Sequence, residues 1–199
     1  MYAREMKRII KNLCVFCGSS NGTNPIYQEG AKELARAMGE RSINLIYGGG
    51  GLGLMGILAK DLKPYGVKVT GVIPELLYDV VKEFESDEDE LIVVPNMHER
   101  KAEMYSRADA FVVLPGGIGT LEEFLEVFTW LQLGYHSKPI GLLNLGGYYT
   151  QLLNFLEESV ATGFLKKAMY ETLVVSKEAE NLLEELNSVD VVVPLKIDR

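Results

Sequence analysis

Leu114-Pro115-Gly116-Gly117-Ile118-Gly119-Thr120-Leu121-Glu122-Glu123 decides the reading of this chain. The stretch follows an apolar run, residues 110–114, of the kind that forms a buried strand, and precedes a helical pattern over residues 121–133. A glycine-rich turn between a strand and a helix leaves backbone N–H groups unpaired at the positive end of the helix dipole, which makes a phosphate seat. Thr120 and Glu123 have capping-box spacing, so a helix start at Thr120 is expected. Glu122 and Glu123 lie one turn inside the seat and would repel a phosphate unless aimed at another part of the ligand. A phosphate seat with an acid beside it points to a nucleotide on which chemistry is done.

Outward from this turn, short β-rich runs alternate with amphipathic helical stretches. Strands are expected at residues 12–17, 44–47, 68–73, 90–95, 110–114, 139–144 and 171–175. Helices are expected at 25–41, 53–63, 97–107, 121–133, 148–162 and 177–187. Continuous apolar strands such as Phe111-Val112-Val113-Leu114 belong to sheets covered on both faces. The expected fold is therefore α/β, a Rossmann-like, doubly wound, mainly parallel sheet of about seven strands with helices on both faces, in a single domain spanning 1–199. Residues 75–89 hold seven acidic residues and read as either a loop or a short charged helix. Four glycine-rich turns fall at the carboxyl ends of strands, where such sheets bind ligands: Cys17 to Gly22, Gly48 to Gly56, Pro115 to Thr120, and Gly146-Gly147.

Bulk properties narrow the function. With 199 residues and a hydrophobic share of 47%, the chain has ample material for one buried core. The net charge of −8 argues against non-specific binding to nucleic acid or anionic membranes. No apolar stretch reaches the roughly 20 residues of a membrane span. Residues 1–11 are charged and lack an apolar signal core, so a cytoplasmic location is expected. Cys14 and Cys17 are the only cysteines, and their spacing on one strand puts them on opposite faces, which reads as reduced structural thiols. With His98 and His136 far apart in sequence, no metal cluster is visible.

Two further motifs flank the turn. Gly51-Leu52-Gly53-Leu54-Met55-Gly56 matches the dinucleotide fingerprint G-x-G-x-x-G, but it follows the second strand rather than the first. A turn for close helix–strand packing explains it better than a nicotinamide cofactor. In Met97-His98-Glu99-Arg100-Lys101, Asn96 and Glu99 form a capping box, which places Arg100 and Lys101 in the first turns of a helix, where cations oppose the dipole. A surface ion pair would account for them. So would an anionic ligand, which the planar fork of Arg100 could grip in two places.

Pro115-Gly116-Gly117-Ile118-Gly119-Thr120-Leu121-Glu122-Glu123 resembles the P-G-G-x-G-T-x-x-E signature of the LOG family, the cytokinin riboside 5′-monophosphate phosphoribohydrolases. Met97-His98-Glu99-Arg100-Lys101 resembles that family's M-x-x-R-K motif, and the separation of 23 residues between Arg100 and Glu123 agrees. The resemblance covers about residues 10–180. It implies hydrolysis of the N-glycosidic bond of an AMP-like nucleotide, with Arg100 and Glu123 catalytic and no cofactor or metal. Substrate binding would fall to Gly18, Ser19, Ser20, Gly48, Gly49, Gly50, Met97, Lys101, Gly116, Gly117, Ile118, Gly119, Thr120 and Glu122. Arg100 would bridge ligand and Glu123, keeping the acid ionised. A homodimer with the base pocket near the subunit interface is also implied.

The family was long labelled lysine decarboxylase, but no lysine here sits in a recognisable pyridoxal phosphate motif. The acidic P-R-E-I-like segment usual after the G-V-I-P strand has no clean counterpart, and Glu83 is the candidate substitute. A nucleotide or cofactor carrier that binds without turnover is the competing function.

Overall fold

The apolar run ahead of the glycine turn forms β5 (Ala110–Val113), every residue of it buried. It lies beside β1 (Asn12–Phe16), whose Leu13 to Phe16 pair in parallel with Ala110 to Val113. The computed structural model describes residues 9–81 and 87–191. The other strands are β2 (Asn44–Tyr47), β3 (Val69–Pro74), β4 (Glu90–Val94), β6 (Ile140–Leu143) and β7 (Leu173–Ser176). All seven run parallel in one sheet of order β4-β3-β2-β1-β5-β6-β7, the α/β architecture expected. The order reverses between β1 and β5, so the carboxyl ends of these two strands border the crevice where doubly wound sheets bind ligands.

Helices α1 (Pro25–Glu40), α2 (Gly53–Leu62), α3 (Glu75–Val81), α4 (Met97–Arg107), α5 (Ile118–Gln132), α6 (Thr150–Ala161), α7 (Lys167–Tyr170) and α8 (Ala179–Ser188) connect or follow the strands. Alternation along β1 sorts the core into two layers, since successive side chains point to opposite faces. Leu13, Val15 and Cys17 pack among α1, α2 and α8, with Leu34, Leu58 and Leu183 at the centre. Cys14 and Phe16 pack among α4, α5 and α6, with Met104, Phe124 and Leu156. The two thiols thus lie on opposite faces, both buried and both free. On the edge strand β4 burial alternates instead, as a strand with one half-open face requires.

Three departures from expectation go beyond a shift of one or two residues at an element's end. Helix α5 begins at Ile118, three residues early, because Gly117 rather than Thr120 is its N-cap. Helix α3 resolves the first half of the acidic stretch as a charged helix. Helix α7, of four residues, is too short to carry a periodic signal. Glu83 lies outside the described residues. Among the described residues no helix is long and apolar enough to cross a membrane.

Candidate active site at the β1–β5 crevice

The glycine turn after β5 is pinned from behind. Tyr149 Oη donates to the Leu114 carbonyl at 2.6 Å, and Tyr148 Oη donates to the Gly116 carbonyl at 2.6 Å. Gly18 N–H donates to the Pro115 carbonyl at 3.1 Å, tying the turn after β1 to the turn after β5. A trans peptide points its N–H opposite its C=O, so pinning the Gly116 carbonyl also fixes the direction of the Gly117 N–H. Gly117 caps α5 with no side-chain hydrogen bond, and the first intrahelical bond runs from Leu121 N–H to the Gly117 carbonyl at 3.1 Å. The N–H groups of Ile118, Gly119 and Thr120 are therefore left without a helical acceptor. A Cβ at Gly117 or Gly119 would meet nothing within 4 Å, whereas one at Gly116 would overlap Thr120. The first two glycines named keep the seat open, and the third allows Thr120 to pack beneath it.

The fingerprint glycines serve packing, as expected. Gly53 has a φ of +62° and lies against Ser19 and Ser20, while a Cβ at Gly56 would overlap the Gly51 carbonyl. The Gly48–Gly50 turn is held by a residue that sequence reasoning did not single out. Glu88 Oε1 accepts from Tyr47 Oη at 2.5 Å and from Gly50 N–H at 2.7 Å. Glu88 lies 41 residues from Tyr47 and 38 from Gly50, so no local pattern reveals the pairing.

Arg100 stands at N4 of α4, whose N-cap Asn96 accepts from Glu99 N–H at 3.0 Å and donates from its side-chain amide to Glu99 at 2.9 Å. Its Nε donates to the Val72 carbonyl at 3.0 Å and a terminal nitrogen donates to the Gly48 carbonyl at 3.1 Å. The other terminal nitrogen donates to Met97 Sδ at 3.4 Å, so three of its five N–H groups are occupied, fixing the guanidinium in the cleft wall while two stay available to an anion. No hydrogen bond or ion pair joins Arg100 to Glu123 among the described residues, and the guanidinium acts on the carboxyl through its charge across the cleft.

Glu123 shares that cleft of about 580 Å³ with Arg100, Gly48, Met97, Gly18, Ser19 and the α5 start from Gly117 to Thr120. Burial pushes its carboxyl up to about 7, against the pull of the Arg100 charge and with a further push from Glu122. Desolvation therefore outweighs the arginine, which corrects the expectation that Arg100 keeps this acid firmly ionised. An acid that exchanges its proton near neutrality suits acid–base chemistry. Phe16, Cys17, Met55 and Leu77 complete an apolar lining, of which Phe16 and Leu77 belong to no motif. A smaller recess of about 310 Å³ adjoins the cleft through Gly18, Ser19 and Gly117, and is lined also by Ser20, Gly116, Tyr27 and Tyr148.

Three expected binding residues lie elsewhere. Gly49 and Gly50 are buried behind the cleft wall, in left-handed conformations with φ of +75° and +95°. Lys101 is buried between α4 and α5, where its ammonium donates to Glu122 at 2.5 Å and Glu126 at 2.9 Å. Of the two adjacent cations, the ion-pair explanation holds for Lys101, and the cleft position for Arg100.

The profile of a family described as "Possible lysine decarboxylase" matches residues 55–186. The cytokinin riboside 5′-monophosphate phosphoribohydrolase LOG7 of Arabidopsis thaliana is 48% identical over 183 residues, covering 92% of this chain and 83% of that protein. The chain belongs to the LOG family. LOG5 of the same plant is 46% identical over 184 residues, covering 92% of this chain and 80% of that protein. A probable LOG enzyme of Oryza sativa subsp. japonica, LOGL2, is 46% identical over 177 residues, covering 88% and 72%. Among solved structures, the molybdenum cofactor carrier protein of Chlamydomonas reinhardtii superposes with a TM-score of 0.67 at 20% identity, covering 88% of this chain and 96% of that one. The molybdenum cofactor binding protein of Rippkaea orientalis gives a TM-score of 0.65 at 19% identity, covering 89% and 95%. At such identity the likeness is one of fold alone, so the LOG assignment rests on the sequence relatives.

Proposed function

We propose that this LOG family chain hydrolyses the N-glycosidic bond of adenosine 5′-monophosphate, or of its N6-substituted forms, to free base and ribose 5-phosphate. The observation that carries the reading is Glu123, an acid titrating near neutrality, in the same cleft as an open helix start and an immobilised arginine. The names of the relatives supply the substrate class.

The 5′-phosphate is held by the N–H groups from Gly117 to Thr120, with Ser19 and Ser20 beside it. As the C1′–N9 bond breaks, its electrons pass to the base and positive charge grows on the sugar, which ionised Glu123 stabilises. Glu123 takes a proton from the attacking water, whose oxygen bonds to C1′. That proton passes on to the departing base, so the Glu123 carboxylate is restored. Arg100 meets the anionic ligand with its spare N–H groups. Lysine decarboxylation is not proposed, because a pyridoxal phosphate Schiff base needs a lysine amine and the described cleft wall carries none.

Incubation of the purified protein with AMP and with isopentenyladenosine 5′-monophosphate, followed by chromatography, tests the reading. Free base that disappears in Glu123→Gln is expected. Bound but intact nucleotide would favour the carrier.

We also propose that the chain works as a cytoplasmic homodimer. An apolar groove on α5, lined by Ile118, Leu121, Leu125 and Trp130, runs into the cleft at Ile118 and supports this assembly. Light scattering of the wild type and of Leu125→Asp tests it, with a dimer expected for the first and a monomer for the second.

A further inference from the structure

We propose that Lys101 is a positioning residue, which clamps Glu122 and Glu126 of α5 from α4 and so sets the spacing of Arg100 and Glu123 across the cleft. The inference rests on the phosphoribohydrolase reading above.

Successive residues on a helix diverge by about 100°. Arg100 and Lys101 are consecutive on α4, and Glu122 and Glu123 are consecutive on α5. The proposed reaction uses one member of each pair, Arg100 from α4 and Glu123 from α5, and Glu122 lines the cleft beside Glu123. The other members, Lys101 and Glu122, meet each other at 2.5 Å. The distance between the reacting groups is thus tied to a bolt one residue away on either side.

The bolt has a second rung. Glu126 is one turn beyond Glu122 on α5, so the two carboxylates stand on one face and repel each other. The Lys101 ammonium neutralises that repulsion with bonds of 2.5 and 2.9 Å. Tyr105, one turn beyond Lys101 on α4, donates to the second oxygen of Glu126 at 2.8 Å and stacks edge-on against Trp130. Lys101 is only 6% exposed, and a lysine so buried persists only when paired. The same cluster sets the charge around Glu123: Lys101 weakens its hold on a proton, and Glu122 and Glu126 strengthen it.

The test is base release from AMP, with kcat and KM measured across pH for the wild type, Lys101→Met, Lys101→Arg and Glu126→Gln, each checked for folding by circular dichroism. Lys101→Met is expected to lower kcat by at least about tenfold with KM changed less than about threefold, since misplacement of the reacting groups is a transition-state loss. Its acid limb should move to higher pH, because two unpaired carboxylates then face Glu123. Lys101→Arg should recover most of kcat. Glu126→Gln retains the Lys101–Glu122 rung and removes a negative charge, so its acid limb should move to lower pH, an opposite sign that keeps the test open if Lys101→Met does not fold. A folded Lys101→Met with wild-type kcat and an unmoved acid limb would overturn the proposal while leaving the reaction in place, and so would an effect on KM alone. No base release by the wild type would overturn the parent reading, and this one with it.

Discussion

Gly48 and Arg100 are matched in shape: the Gly48 carbonyl accepts an Arg100 N–H at 3.1 Å, and a Cβ on Gly48 would overlap the donating nitrogen. The backbone at Gly48 is not left-handed, so alanine is conformationally allowed there and the clash falls on the end of the arginine side chain alone. Gly48→Ala should therefore displace the guanidinium with little cost in stability. The expected result is a fall in kcat/KM of about 100-fold, the scale on which small misplacements of reacting groups act. Thermal melts and steady-state base release on the same preparation check both halves.

The adjacent tyrosines after β6 should separate binding from stability. Tyr148 holds the Gly116 carbonyl from a half-exposed position beside the phosphate seat. Tyr148→Phe frees one peptide of the seat, and a lost bond of about 1 kcal/mol corresponds to roughly a fivefold rise in KM for AMP, with kcat little changed. Tyr149 is buried, and Tyr149→Phe leaves the Leu114 carbonyl without its partner. That variant should lose about 1–3 kcal/mol of stability by chemical denaturation.

Much of this architecture is legible in residue order, because its signals are local. Phe111 to Leu114 announce a doubly covered strand, and the glycine turns fall where strands end. The start of α5 departs from expectation for a local reason too. Thr120 and Glu123 have capping-box spacing, but Thr120 is packed beneath Gly116, and Gly117 takes the cap. What the sequence hides is direction and distance. Arg100 and Lys101 are neighbours with the same charge, and only the packing of α4 against α5 decides which faces the cleft. The Glu88 carboxylate reaches Tyr47 and Gly50 across the sheet, a contact with no counterpart in spacing or period. Motif residues locate a cleft, and its apolar lining from Phe16, Met55 and Leu77 comes from three separate elements.

Glu88→Ala should test how much the second glycine turn depends on that reach. It would strip acceptors from the Tyr47 hydroxyl and the Gly50 N–H, both bonded in a largely buried setting. A loss of about 2–3 kcal/mol is expected, which lowers the melting temperature by roughly 5–10 °C for a chain of this size. Because Gly48 of the same turn anchors Arg100, base release should fall as well, and calorimetry with activity below the melting range separates the two effects.

Glu123 links pH to stability and activity with opposite signs. Its carboxyl titrates near 7 in the folded chain, against an ordinary value of 4.5. Between those values the folded state holds a proton that the unfolded state has released, so stability falls as pH rises through the window and the full loss is present above about 7. The loss is on the order of 2 kcal/mol once the partly exposed edge of the side chain is allowed for. Glu123→Gln removes the buried charge. Its melting temperature should match the wild type near pH 4 and exceed it by several degrees above pH 7, the gap widening between those values and levelling off beyond them. Activity should run the other way, with wild-type kcat rising along an acid limb near pH 7 and Glu123→Gln inactive throughout. A melting gap that stays constant from pH 5 to 8 would show that this carboxyl carries no folding-linked proton, and the neutral-range acid would have to be sought elsewhere in the cleft.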